Sequence, residues 1–289
     1  MTEAGGWADL ARDAMRVATM ALAEDGREDV TSRVTIGDGQ QGRGVLEARE
    51  PMVVAGLAYA DAVVAAAGLP PLAWLVTEGQ QVGRPQAIGA CTGPLRGLLR
   101  AERPLLNLLQ RASGIATMTA RCVAAVAGTG CRILHTRKTT PGLRAFEVRA
   151  VLSGGGGLHR LDLATAVMVK DNHWQALAAS GRSLADALQA ARESGVEQLE
   201  VEVESVAQLE EACRAGATRL LIDNQSPDVV AEWVVRARGL RPTIELEATG
   251  GITLATMGDY ARTGIDFIST GMLTHSVRSA DLGMEVTSP

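Results

Sequence analysis

Of the 28 basic side chains in this sequence only two are lysines, Lys138 and Lys170. A chain that uses arginine almost everywhere for solvation keeps its compact, rotatable ammonium groups for two places. Both fall in segment 135–173, HTRKTTPGLRAFEVRAVLSGGGGLHRLDLATAVMVKDNH, which holds six Arg or Lys, three acids and three His. In a chain of net charge −5 this local positive excess marks a place built for a polyanion. Arg137, Arg160 and Arg144 offer planar forks suited to carboxylate or phosphate, while Lys138 and Lys170 supply point charges.

A second set of polar residues is acidic. Glu200 and Glu202 alternate with Val in LEVEVE, so on a strand they share one face. If that face lines a barrel, mid-strand positions should be apolar and an inward carboxylate belongs at the mouth, which favours Glu202. Asp223 closes the next strand, and two carboxylates on neighbouring strand ends suit a hydrated Mg²⁺ or a pair of sugar hydroxyls. Thr249, Gly250 and Gly251, then Thr270 and Gly271, put glycine-bearing turns after the last two strands, where barrels commonly hold phosphate on backbone N–H groups. His275 and Ser276 follow closely as further donors. The GGGG run at 154–157 fits either a flexible loop or a close approach of two backbones.

These residues need a frame that brings them together. Six short apolar or alternating runs, 131–137, 166–172, 198–204, 218–224, 243–251 and 266–271, each end in polar residues or glycine. Amphipathic stretches such as SLADALQAARESG and SVAQLEEACRAGA lie between them, each closed by glycine or Ala-Gly. The last three strand starts are 25 and 23 residues apart, the length of a βα unit. Parallel strands with helical crossovers follow, either in a doubly wound sheet or in a barrel. A barrel gathers its strand ends at one mouth, where an open sheet would string them along an edge, so the barrel is favoured. Six strands do not establish an eight-stranded closure.

The first hundred residues are mixed. An amphipathic helix is predicted from Trp7 to Glu24 with Leu10, Ala14, Val17 and Ala21 on its apolar face, followed by the turn-rich EDGREDVTSR. Strands are predicted at 44–50, 51–56 and 73–82 around a helix at 58–67, and EGQQVGRPQAIGACTG predicts a hairpin with glycine turns. No nucleophile with a base is visible there.

The sequence has 289 residues, 46% of them hydrophobic, enough for a large core, and this excludes disorder and a small disulfide scaffold. The mildly acidic balance excludes a strongly basic nucleic-acid binder. No apolar run reaches the ~18 to 20 residues of a membrane span, and the N-terminus lacks a basic region followed by an apolar one, so a cytoplasmic location is expected. Cys91, Cys122, Cys131 and Cys213 show no metal-ligand spacing and are expected as reduced, buried thiols.

TRKTTPGLR at 136–144, HR at 159–160, KDNH at 170–173, EVEVE at 200–204, LIDN at 221–224, TGG at 249–251 and LTHS at 273–276 form a series in fixed order. Together with EDVTS near the start and ERPLLNLLQRASGIAT at 102–117, that series resembles the quinolinate phosphoribosyltransferase family, decarboxylating enzymes of NAD synthesis. The resemblance implies an N-terminal α/β sandwich-like domain over 1–112, joined by the tail 275–289, and an incomplete α/β barrel over 113–274. It implies transfer of a phosphoribosyl group from phosphoribosyl pyrophosphate to quinolinate with loss of CO₂, Mg²⁺ as cofactor, and a homodimer with shared sites. By the same resemblance Arg103 is given in trans; Arg137, His159, Arg160 and Lys170 surround the pyridine dicarboxylate; Lys138 lies by the pyrophosphate or the dicarboxylate. Glu202 and Asp223 match the acids near the ribose hydroxyls and Mg²⁺, and Thr249, Gly250, Gly251, Gly271 and His275 match the 5′-phosphate cradle.

The chain departs from the family's common pattern at His135, Leu158, Val148-Arg149 and EATGG. That leaves three readings: quinolinate as acceptor, a related pyridine acid in a specialised pathway, or an accessory relative associated with molybdate uptake. Intact TRKTTPG and KDNH stretches speak against the last.

Overall fold

The computed structural model describes residues 9–26 and 28–288. The predicted helix start at Trp7, Arg27 of the turn-rich segment and Pro289 of the tail lie outside the described residues. In chain order the elements are α1 (Leu10–Glu24), α2 (Val30–Thr35), β1 (Gln41–Ala48), β2 (Met52–Val53), α3 (Leu57–Ala66), β3 (Ala73–Trp74), β4 (Gln81–Val82), β5 (Gln86–Pro94) and α4 (Leu95–Ala125). They continue with β6 (Arg132–Leu134), α5 (Arg144–Ser153), β7 (Val167–Val169), α6 (Asp171–Ser180), α7 (Leu184–Glu193), β8 (Leu199–Val203), α8 (Val206–Ala215) and β9 (Arg219–Asp223). The last are α9 (Pro227–Leu240), β10 (Glu245–Thr249), α10 (Met257–Ala261), β11 (Phe267–Ser269), α11 (Met272–His275) and β12 (Leu282–Thr287).

The chain forms two compact units, one from residues up to 120 with 139–155 and 273–289, the other from 121–138 with 156–272. The sequence boundary at 112/113 falls inside α4. In the first unit four strands form an antiparallel sheet in the order β12-β1-β5-β3, and β2 pairs with β4 apart from it. The predicted hairpin over 78–93 is therefore corrected: β4 and β5 lie in different sheets. Gly79 does turn the chain, at φ 78°, but Gly89 and Gly93 serve packing instead. The ring of Trp74 lies where a side chain on Gly89 would stand, and Leu69 and Pro70 do the same at Gly93.

The buried stripe of α1 is Asp13, Ala14, Val17, Ala18 and Leu22, rotated from the predicted face so that Leu10 is exposed. The rotation follows from Asp13, whose carboxylate accepts the Tyr59 hydroxyl of α3 at 2.7 Å and pairs with Arg16. The four-glycine run settles as a close approach at its first member. A Cβ on Gly154 would stand 2.3 Å from the Ala116 carbonyl oxygen of α4, so only glycine lets α5 end there.

The second unit is a six-stranded parallel sheet in the order β6-β11-β10-β9-β8-β7, holding all six runs read from the sequence. β6 and β7 are its two ends, and no ladder joins them among the described residues, which makes the barrel incomplete. Ser183, Ser205 and Ser226 each cap the next helix by accepting a backbone N–H, and left-handed Gly181 and Gly216 end α6 and α8. Strand residues Leu199, Val201, Leu220, Ile222, Leu246 and Ala248 are buried on one face. Alternate residues Glu200, Glu202, Arg219, Leu221, Asp223, Glu247 and Thr249 share the other.

That second face is not apolar in mid-strand, contrary to expectation. Glu200 and Glu247 are fully buried on it, with Arg219 Nη1 at 3.5 and 3.3 Å from their carboxylates. Opposite charges on neighbouring strands compensate one another, which allows a polar barrel interior.

Candidate active site

The inner-face residues at the C-terminal strand ends open into a cavity of about 430 Å³. Arg137 and Lys138 reach it from the loop after β6, His159 and Arg160 from the segment before β7, and Lys170 from the end of β7. Glu202, Asp223 and Thr249 come from the ends of β8, β9 and β10, and Gly250 with Gly251 from the turn that follows. Ten of the residues singled out from the sequence thus meet around one space. Gly271 follows β11, whose end residue Ser269 lines the cavity. Arg103, exposed on α4, and His275, exposed at the end of α11, belong to the first unit.

Lys170 is the N-cap of α6, with its backbone N–H donating to His173 Nδ1 at 2.9 Å. Its ammonium forms an ion pair with the Glu202 carboxylate. The indole of Trp174, one turn into α6, donates to the Glu202 carbonyl at 3.0 Å and ties this helix start to β8. KDNHW is therefore a brace between the start of α6 and the end of β8.

Asp223 is held by its chain neighbour. Asn224 Nδ2 donates to Asp223 Oδ2 at 2.6 Å, and the Asn224 backbone N–H donates to the Thr249 carbonyl at 3.1 Å. Asn224 takes φ 54°, the only left-handed residue other than glycine among the described residues. Gly250 (φ 81°) lies against this pair: a Cβ there would be 2.3 Å from Asn224 Oδ1 and 2.6 Å from Asp223 Oδ1. Gly251 is also left-handed at φ 60°, but open space surrounds it. Burial pushes the Asp223 carboxyl above its ordinary value; Lys170 and Lys138 oppose that and Glu204 adds to it.

The cationic side of the cavity has unmet demand. Arg137 Nε and Arg160 Nε are buried with no hydrogen-bond partner. Burial also lowers the Arg160 pKa; the Glu200 charge opposes that shift, while neighbouring Arg137 reinforces it. Two buried, unpartnered Nε donors on neighbouring guanidinium groups call for acceptor oxygens.

Sequence reasoning missed several lining residues: His135, Thr136, Met168, Leu221, Asn224, Glu247 and Ser269. The signal for Glu247 was present, since it stands two residues before Thr249 and so on the same strand face. His135, one of the departures, is fully buried, with Nε2 3.2 Å from the His159 carbonyl oxygen. Val148 is fully buried in α5 within the first unit, and Leu158 is exposed. The four cysteines are buried thiols, as expected, and burial raises each of them, Cys131 to about 12. No helix among the described residues is long and apolar enough to cross a membrane.

Known proteins match this chain over almost its whole length. Residues 29–113 match the N-terminal domain, and residues 115–285 the C-terminal domain, of quinolinate phosphoribosyl transferase. The chain is 41% identical over 286 residues to the nicotinate-nucleotide pyrophosphorylase [carboxylating] of Mycobacterium leprae, covering 96% of this chain and 98% of that protein. It is 43% identical over 212 residues to the probable nicotinate-nucleotide pyrophosphorylase [carboxylating] of Bacillus subtilis, covering 73% and 71%. The solved structure of the nicotinate-nucleotide pyrophosphorylase from Francisella tularensis superposes with a TM-score of 0.88 at 31% identity, covering 96% and 97% of the two chains. Strand-end lysines, paired acids and a two-glycine turn converge on one barrel mouth, and both halves of the sequence match: this chain belongs to the quinolinate phosphoribosyltransferase family.

Proposed function

We propose that this protein transfers a phosphoribosyl group from phosphoribosyl pyrophosphate to quinolinate and releases pyrophosphate and CO₂, forming nicotinate mononucleotide for NAD synthesis. The observation that carries this reading is the pair of buried, unpartnered guanidinium Nε groups of Arg137 and Arg160 in one cavity with Lys138 and Lys170. Adjacent carboxylates on a small flat ring fit such a pair, and each arginine fork holds a carboxylate in plane.

The chemistry needs positioning more than reactive side chains. The pyridine nitrogen forms a bond to C1 of the ribose as the C1–O bond to the diphosphate breaks, with the electron pair leaving on pyrophosphate. Glu202 and Asp223 at adjacent strand ends face the positive charge that develops on the sugar. The left-handed Gly250 and Gly251 turn offers backbone N–H groups to the 5′-phosphate. The ring nitrogen is then cationic, so the bond from the neighbouring ring carbon to its carboxylate breaks, its electron pair stays on that carbon, and a proton replaces CO₂. No covalent bond to the protein is required.

Mg²⁺ suits the acidic side of the cavity. Among the described residues no group of three or more His, Cys, Asp or Glu could hold a metal by itself, and Mg²⁺ usually takes only one or two carboxylates, completing its shell with water and substrate phosphates. Glu202 and Asp223 would hold it, and burial of Asp223 leaves a carboxylate that a cation would favour. When bound it supplies positive charge to the leaving diphosphate. A homodimer in which Arg103 of one protomer completes its partner's site goes with this reading, as does a cytoplasmic location.

Incubation of the purified protein with quinolinate, phosphoribosyl pyrophosphate and Mg²⁺ should yield nicotinate mononucleotide and CO₂ in equal amounts. Absence of both products, with turnover of a different pyridine acid, would replace the acceptor.

A further inference from the structure

Glu200 and Glu247 are fully buried carboxylates that the transfer above does not use. Both lie against the imidazole of His159, whose Nε2 is 3.2 Å from Glu247 Oε2 and 3.8 Å from Glu200 Oε1. The other ring nitrogen, Nδ1, accepts the backbone N–H of Arg160 at 2.7 Å. A backbone N–H only donates, so Nδ1 carries its lone pair; an ionised carboxylate only accepts, so Nε2 carries the proton. Glu247 is held below its ordinary carboxylate value: burial pushes it up, but the bond from His159, the positive charge that ring carries when protonated, a bond from Ser269 and the charge of Arg219 outweigh that. It is therefore an acceptor at neutral pH.

Both ring nitrogens of His159 are thus committed inside the protein, and neither remains for a substrate oxygen. The backbone of the same residue is fixed too, because His135 Nε2 lies 3.2 Å from its carbonyl oxygen. What this arrangement controls is the next residue. Arg160 lines the cavity, and its buried Nε has no partner.

We propose that His159 is a positioning residue, locked by Glu247 as the Nε2-protonated tautomer, whose Nδ1 fixes the Arg160 backbone and so aims that guanidinium at one carboxylate of the pyridine dicarboxylate. The dicarboxylate rests on the function proposed above; the tautomer does not.

Two measurements on the full-length protein test it. The chain has only four histidines, so in a ¹⁵N-labelled sample the His159 signals are assigned by their loss in His159→Asn. At neutral pH Nε2 should show the shift of a protonated ring nitrogen and Nδ1 that of an unprotonated one. A proton on Nδ1, alone or together with Nε2, overturns the proposal. The second measurement ranks two variants by steady-state kinetics. Asn at 159 can place its amide oxygen near the site of Nδ1, whereas Gln reaches the site of Nε2. His159→Asn should keep KM for quinolinate within about threefold, and His159→Gln should raise it about tenfold or more, with KM for phosphoribosyl pyrophosphate unmoved in both. The reverse ranking would mean that Nε2 touches the substrate, and equal losses that also move KM for phosphoribosyl pyrophosphate would mean a structural role; either overturns the proposal. If the wild-type protein does not turn over quinolinate, the proposed function fails, while the spectrum still decides the state of His159.

Discussion

Lys170 and Glu202, 32 residues apart in sequence, are ion-paired across adjacent parallel strand ends. The residue that would meet substrate oxygens and the one that would face a cationic sugar therefore hold each other in place. Lys170→Ala should lower turnover about 10²-fold or more with a normal fold. Glu202→Gln should also lose turnover, and the double variant should lose clearly less than the product of the two single losses, since both remove the same pair. Independent, multiplying losses in steady-state assays would show that the pair is not a functional unit.

Asp223 should trade stability for chemistry. Burial raises its folded-state pKa, so its contribution to stability is present below the ordinary Asp value and is lost as pH rises through the folded value. At neutral pH its charge is a net cost to folding. Asp223→Asn should thus melt at a higher temperature than wild type at neutral pH, with the gap closing in acid, while turnover falls. Calorimetry should find quinolinate binding by the variant little changed. Loss of that binding with phosphoribosyl pyrophosphate binding intact would place Asp223 on the other substrate.

The two glycines of the TGG turn should respond unequally to alanine. Gly250→Ala combines left-handed strain with a collision against Asp223 and Asn224, and should cost about 1–3 kcal/mol together with a raised KM for phosphoribosyl pyrophosphate. Gly251→Ala meets open space and should cost about 1–2 kcal/mol from the backbone alone. Denaturant melts and kinetics of both variants check the order.

Arg103 gives a test of assembly. Mixing inactive Arg103→Ala with inactive Lys170→Ala protomers should restore activity if the arginine acts in trans. Random exchange makes about half the dimers mixed, and one of their two sites has both wild-type residues, so up to roughly a quarter of all sites should recover. No recovery after verified exchange would leave Arg103 acting within its own chain or not at all.

What could be read from the sequence depended on how local the cause was. The six parallel strands were legible because each apolar run ends in residues of a different character, such as Lys170 or Asp223, and serines and glycines punctuate the helices between them. The inner charge cluster was not, because Glu200, Arg219 and Glu247 find one another only after β8, β9 and β10 are in register. Taken singly, each looks like a surface charge on a strand. The face of α1 was misplaced for a similar reason, since nothing near Asp13 in sequence announces the Tyr59 hydroxyl that makes its burial tolerable. In the 78–93 stretch, glycines needed beneath Trp74, Leu69 and Pro70 looked like turn glycines, because a ring or side chain packed over a bare Cα leaves no trace in local spacing.

The strand β12 pairs with β1 along its whole length, from Thr287 opposite Arg43 to Leu282 opposite Ala48. It thereby converts β1 from an exposed rim into an interior strand, shielded by β5 on its other side. A chain cut before Leu282 would present the outward amides and carbonyls of β1 to any other sheet of the same kind, an open template for strand addition between molecules. Besides completing a sheet, β12 keeps the β1 edge paired within the molecule, so removing Leu282–Thr287 should promote self-association.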